Sequence, residues 1–139
     1  MSSERPRVTT EVQVMFFDTD CGGVVSNIAY LRFIEIARTA LAEKLGLPLA
    51  EMAQTQRYPV VVRTEINYRR AAKLADHLVI EGWLDDLQRA RFFCAFRITR
   101  PADSALIAEC RQMCALIEMP AGKLLPLPDN WEKYRASKT

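Results

Sequence analysis

The sequence predicts an α+β fold: a curved antiparallel sheet of about five strands wrapped around one long central helix. Three observations lead there. A stretch of strict alternation opens the chain, a single stretch of helical period follows, and four more strand-like segments come after it, most of them joined by short turns. At 139 residues, with 50% hydrophobic and 26% charged residues, the chain has the size and composition of one domain with a full core. Residues 1–139 read as that single domain, its core spanning about 8–128 and a short polar tail following.

The first strand runs from Val8 to Phe17. Val8, Thr10, Val12, Val14 and Phe16 share one face, while Thr9, Glu11 and Gln13 share the other. Between Asn27 and Lys44 the period changes: Arg32, Glu35, Thr39 and Glu43 form one narrow polar stripe, and nearly all other positions are apolar. A helix apolar around most of its circumference must be covered on several sides. Asn27 suits its N-cap, and Gly46 with Pro48 suits its stop. Four strand candidates follow, at Val60–Arg70, Leu78–Leu84, Ala90–Thr99 and Ala105–Met119. In the third of these Phe92, Cys94, Phe96 and Ile98 share the inner face. Asp85–Arg89 and Pro101–Ser104 supply turns, so neighbouring strands run antiparallel. Open sheet edges favour self-association.

Composition excludes several functions. The 19 basic and 17 acidic residues interleave to a net charge of +2, which leaves no basic patch for nucleic acid. No apolar run approaches the ~18 residues of a membrane span, and the charged N-terminus is unlike a secretory signal, so a soluble cytoplasmic protein is expected. Cys21, Cys94, Cys110 and Cys114 show no CxxC spacing and His77 is the only histidine, so no metal site and no cofactor are expected.

Chemistry concentrates in the turn between the first strand and the helix, Asp18-Thr19-Asp20-Cys21-Gly22-Gly23. Glycines let the backbone approach a ligand closely. The helix beginning near Asn27 presents free N–H groups and a partial positive charge, which suit an anion or a developing oxyanion. A carboxylate there stays ionised and serves as nucleophile or general base. In an extended chain Asp18 and Asp20 project to the same side, but the turn breaks that parity, and both remain candidates. The same pattern also serves as a plain Asx-type turn.

The run Phe17-Asp18-Thr19-Asp20-Cys21-Gly22-Gly23-Val24-Val25, with Asn27, Tyr30 and Glu35-Ile36-Ala37-Arg38, resembles the hotdog-fold acyl-CoA thioesterases of the 4-hydroxybenzoyl-CoA and tol-pal-associated types. Asn67 to Asp76 and Lys123 to Pro128 extend the resemblance over roughly Val8 to Pro128. It implies an acyl-CoA substrate, a homo-oligomer (a dimer joined at the sheet edge, or a homotetramer built from two) and active sites at the subunit interface. Asp20 is then the catalytic acid, and a backbone N–H at or near Asn27 holds the oxyanion. Gly22, Gly23 and Val25 shape the substrate loop, Tyr30 lines the acyl pocket or packs in the core, and Arg89 and Arg91 meet the coenzyme A phosphates, with Arg70 and Lys73 as further basic candidates. Glu35 orients the loop or lines the interface, with a second catalytic carboxylate as the alternative, and Cys21, which has no histidine nearby in sequence to activate it as a nucleophile, packs in a small pocket. Two alternatives accompany this reading: a non-catalytic acyl-CoA binding or assembly module, and, more weakly, a dehydratase using His77.

Overall fold

The computed structural model describes residues 4–20 and 22–135. Strands β1 (Arg7–Gln13), β2 (Arg57–Tyr68), β3 (His77–Leu87), β4 (Arg91–Arg100), β5 (Ala105–Glu118) and β6 (Lys123–Leu125) form one sheet in the order β1-β3-β4-β5-β2. All pairings are antiparallel. Beyond Ala115, where β4 ends its pairing, β6 takes over that side of β5 through Leu116 to Glu118. The helices are α1 (Asn27–Lys44), α2 (Leu49–Thr55) and α3 (Glu132–Arg135).

Helix α1 lies in the hollow of the sheet against β1, β3 and β4. Its buried face is Ala29, Tyr30, Phe33, Ile34, Ala37 and Leu41, packed on Leu78, Ile80 and Leu84 of β3 and on Phe92, Cys94, Phe96 and Ile98 of β4. The alternation in β4 therefore reads directly as its inner face. One chain covers α1 only on that side: Ile28, Leu31 and Ile36 remain exposed. Gly82 of β3 stands opposite Phe96, and a Cβ there would lie 2.9 Å from two Phe96 ring carbons. Gly82→Ala is therefore expected to cost about 1–3 kcal/mol by overpacking, read as a lower urea midpoint at unchanged m-value.

Several local expectations are corrected. Ser26, not Asn27, is the N-cap, its hydroxyl accepting the Ala29 N–H at 3.3 Å. Phe16 belongs not to β1 but to a 3-10 turn over Phe16–Asp18, which leaves Phe16 80% and Phe17 76% exposed. β3 runs on through Asp85 to Leu87, so the turn into β4 is shorter than predicted. A bulge between Val61 and Arg63 breaks the strict alternation of β2, so that Val61 and Thr64 share the inner face. The stretch after Pro128 is anchored to the core. Trp131 is 1% exposed, donates its indole N–H to the Leu45 carbonyl at 2.9 Å and meets the Phe92 ring edge-on.

Candidate functional site

The chain leaves β1, makes the 3-10 turn and folds back as a tight hairpin in which Thr19 bridges Val25. Asp20 donates its N–H to the Val24 carbonyl at 3.0 Å and accepts the Gly23 N–H at 3.1 Å. Gly22 and Gly23 close this turn at φ values of 97° and 74°, a region that L side chains enter at a cost. The hairpin is stitched to residues 72–74: Val25 donates to the Ala72 carbonyl and Leu74 to that of Gly23, both at 2.9 Å. Arg100 braces that neighbouring segment through Asp76, Asp103 and the Ala71 carbonyl.

The two acids of the motif part company here. Asp18 is 1% exposed, ion-paired with Arg32 and bonded to the Met15 N–H at 2.9 Å. Asp20 is exposed, and its carboxylate meets no partner among the described residues. Ser26 satisfies the Ala29 N–H, while the N–H groups of Asn27 and Ile28, at the open start of α1, have no acceptor among the described residues.

A cleft of about 260 Å³ opens beside that helix start, lined by Val24, Val25, Asn27, Tyr30, Tyr68 and the segment Arg69 to Ala71. The predicted residues Val25, Asn27 and Tyr30 thus come together. Gly22, Gly23 and Asp20 belong to the adjoining hairpin and do not line the wall of the cleft in a single chain. Tyr30 is both pocket and core: its ring packs against Phe33 and Tyr68, and its hydroxyl accepts the Ala72 N–H at 3.1 Å. Burial pushes its phenol up, the Ala72 bond partly offsets this, and the group stays neutral.

Arg89 and Arg91 lie at the other end of the sheet. Arg91 faces Ala115 and Tyr68 faces Ala108, seven residues apart along β5 or about 23 Å. Within one chain they do not reach the cleft. Arg69 and Arg70 do, and of these Arg69 is ion-paired with Glu109 at 3.0 Å while Arg70 has no ion-pair partner among the described residues. Arg70 is among the basic candidates of the sequence; Arg69 is not, its only signal being that a basic pair ends a strand. Lys73 is exposed beside the hairpin. Glu35 pairs with Arg38 at 3.1 Å, and Arg38 donates to the buried Gln112 at 2.9 Å, which is a structural bridge to β5.

His77 lies with Glu11 on the open sheet face, ring nitrogen to carboxylate 2.7 Å, and does not line the cleft. Cys21 lies outside the described residues. The three described cysteines are free and buried. Burial pushes the Cys110 thiol up to about 12, and a hydrogen bond with Cys114 together with burial raises that of Cys94. Neither suits a nucleophile at neutral pH. Among the described residues no cluster of three or more His, Cys, Asp or Glu could hold a metal ion, and no helix is long and apolar enough to cross a membrane.

The chain is 32% identical over 117 residues to an acyl-CoA thioesterase, YbgC, of Haemophilus influenzae, covering 84% of this chain and 83% of that protein. It is 26% identical over 125 residues to a 1,4-dihydroxy-2-naphthoyl-CoA hydrolase of Synechocystis, covering 89% and 91%. The crystal structure of a DHNA-CoA thioesterase from Staphylococcus aureus superposes with a TM-score of 0.84 at 22% identity, covering 95% of this chain and 91% of that one, a likeness of fold. Residues 14–133 match the family described as the thioesterase-like superfamily, and with its sheet curled around α1 the chain belongs to that superfamily as a hotdog-fold member.

Proposed function

We propose that this protein hydrolyses an acyl-CoA thioester to the free acid and coenzyme A, with Asp20 as the catalytic acid residue and the start of α1 as the oxyanion site. One observation carries the reading: the free N–H groups of Asn27 and Ile28 lie at a cleft of mixed polar and apolar lining, next to a hairpin that presents an unengaged carboxylate. In this reading the thioester carbonyl points its oxygen at the Asn27 N–H. Asp20 either attacks the carbonyl carbon, expelling the coenzyme A thiolate and leaving a mixed anhydride that water opens, or takes a proton from water that attacks directly. Both routes end with the acid, the thiol and a regenerated carboxylate. Donors already aimed at the developing oxyanion contribute because they need no reorganisation. Arg70, exposed in the cleft lining and without an ion-pair partner among the described residues, is the cation offered to the coenzyme phosphates.

The site is completed by a second copy. β2 is an open edge carrying Val60, Val61 and Val62, the last 51% exposed. Two such edges paired antiparallel about a two-fold axis bring the Arg57 end of one strand to the Tyr68 end of the other. The wall beside Asp20 and the coenzyme-binding Arg91 then come from the partner. A second dimer meeting the open sheet face, where Trp83, Arg97, Glu109 and Arg111 line a groove of about 360 Å³, makes a homotetramer. A reducing cytoplasm suits both acyl-CoA and the free thiols. Val62→Glu is expected to shift the protein to monomer by light scattering and to abolish turnover, because on the two-fold axis the new carboxylate meets its own copy.

Thiol release followed spectrophotometrically over short-chain, long-chain and aromatic acyl-CoAs tests the activity. Turnover of at least one substrate is expected. Binding without turnover of any would favour the non-catalytic module instead. Single turnover in oxygen-18 water separates the two routes, because label enters Asp20 only when the anhydride forms.

A further inference from the structure

We propose that Asp18 and Arg32 are a positioning pair, through which the body of α1 sets the place of the hairpin that carries Asp20. This rests on the reading of Asp20 as the catalytic acid.

Asp18 gathers three parts of the chain at one buried point. Its Oδ2 accepts the Met15 N–H at 2.9 Å, at the exit of β1. Its Oδ1 takes the Arg32 guanidinium, more than one turn into α1. Its carbonyl accepts the N–H of Ser26, the helix cap, at 2.9 Å. Asp20 follows two residues on, and Asn27 follows Ser26 directly. The acid and the oxyanion donor are thus referred to the same anchor.

The guanidinium is itself placed: its centre lies 5.5 Å from the Phe17 ring centroid and 5.4 Å from that of Phe33. Phe17 is exposed and Phe33 fully buried, so the cation bridges the turn to the core. Burying a carboxylate costs several kcal/mol unless its charge is met, which makes this an expensive way merely to fill space. What the pair supplies that a hydrophobic contact would not is direction. A bond from each carboxylate oxygen fixes the orientation of Asp18, and with it the path of the next two residues.

Displacing a reacting group by 1 Å costs on the order of a hundredfold in rate, while binding made elsewhere in the cleft is untouched. Arg32→Ala is therefore expected to lower kcat about 10- to 100-fold with KM changed less than about twofold, and Arg32→Lys to recover most of the loss. Arg32 is half-exposed, but its removal leaves the buried Asp18 carboxylate unmet, so a lower melting temperature is expected and activity is compared at a temperature where both variants remain folded. Hydrogen exchange supplies a second readout: the Asp20 and Gly23 amides, bonded across the hairpin, lose protection in Arg32→Ala and keep it in Arg32→Lys.

Wild-type kcat and wild-type hairpin protection in Arg32→Ala, with only a lower melting temperature, would show a purely structural pair and overturn the proposal. If instead Asp20→Asn turns over normally while Arg32→Ala loosens the hairpin, the catalytic reading falls and the tether stands. Should no thioester be turned over at all, exchange alone decides the tether.

Discussion

Asp20→Asn is expected to lower kcat by about 100- to 10,000-fold, the range in which a positioned general acid or base contributes. The side chain is nearly isosteric, but the amide neither attacks a carbonyl nor takes a proton from water at neutral pH. Stability should hardly move. The Asp20 carboxylate is exposed and takes no hydrogen bond among the described residues, and the bonds that build the hairpin come from its main chain. A surface change of this kind normally stays within about 0.5 kcal/mol. Steady-state thiol release and calorimetry on the same preparation check both halves. A variant with equal melting and equal kcat would remove Asp20 from the mechanism. Asp18→Asn makes a useful contrast, because it disturbs a buried charge and should lower melting as well as rate.

The largest effect on stability is expected at Trp131. Removing its side chain empties a fully buried site, takes away the edge-on contact with Phe92 and leaves the Leu45 carbonyl without its indole donor. Trp131→Ala should cost about 3–5 kcal/mol, against about 5–15 kcal/mol for a whole domain. By calorimetry that is a fall of roughly 10 °C or more in Tm. Trp131→Phe keeps the ring and loses only the N–H, so it should cost about 1–3 kcal/mol, mainly through the orphaned carbonyl. A Tm within a degree of wild type for the alanine variant would mean that residues 129–135 do not close the core.

What the sequence made legible was whatever repeats. The bounds of α1 follow from one polar stripe, and the inner face of β4 follows from alternation over Phe92 to Ile98. Signals carried by single residues were lost. Leu49–Thr55 buries nothing, so it has no apolar period to betray a helix. Trp131 lies among Asp129, Asn130, Glu132 and Lys133, whose polarity hides one large anchor. The exposure of Phe16 and Phe17 is decided by the turn, which ends the alternation that would have buried one of them.

The site divides in the same way. The motif pointed to the hairpin and the helix start, and Val25, Asn27 and Tyr30 do share a cleft. Which acid is buried could not be read, because it depends on Arg32, which is fourteen residues away and anonymous within the polar stripe. The contribution of Tyr68 and Arg69 depends on where β2 ends relative to α1, a tertiary fact without a local signature, whereas Arg70 is among the basic candidates and does line the cleft. Arg89 and Arg91 were placed by resemblance, and their distance from the cleft follows from the strand register.

The strand order has a consequence for biosynthesis. β1 and β2, the first two strands translated, occupy opposite edges, and everything between them comes from later in the chain. Until β5 leaves the ribosome β2 has no neighbour to bond with, and α1 waits with its apolar side uncovered. Until then the nascent chain carries an unpaired strand and uncovered apolar surface, and the core closes only once Trp131 reaches the end of α1.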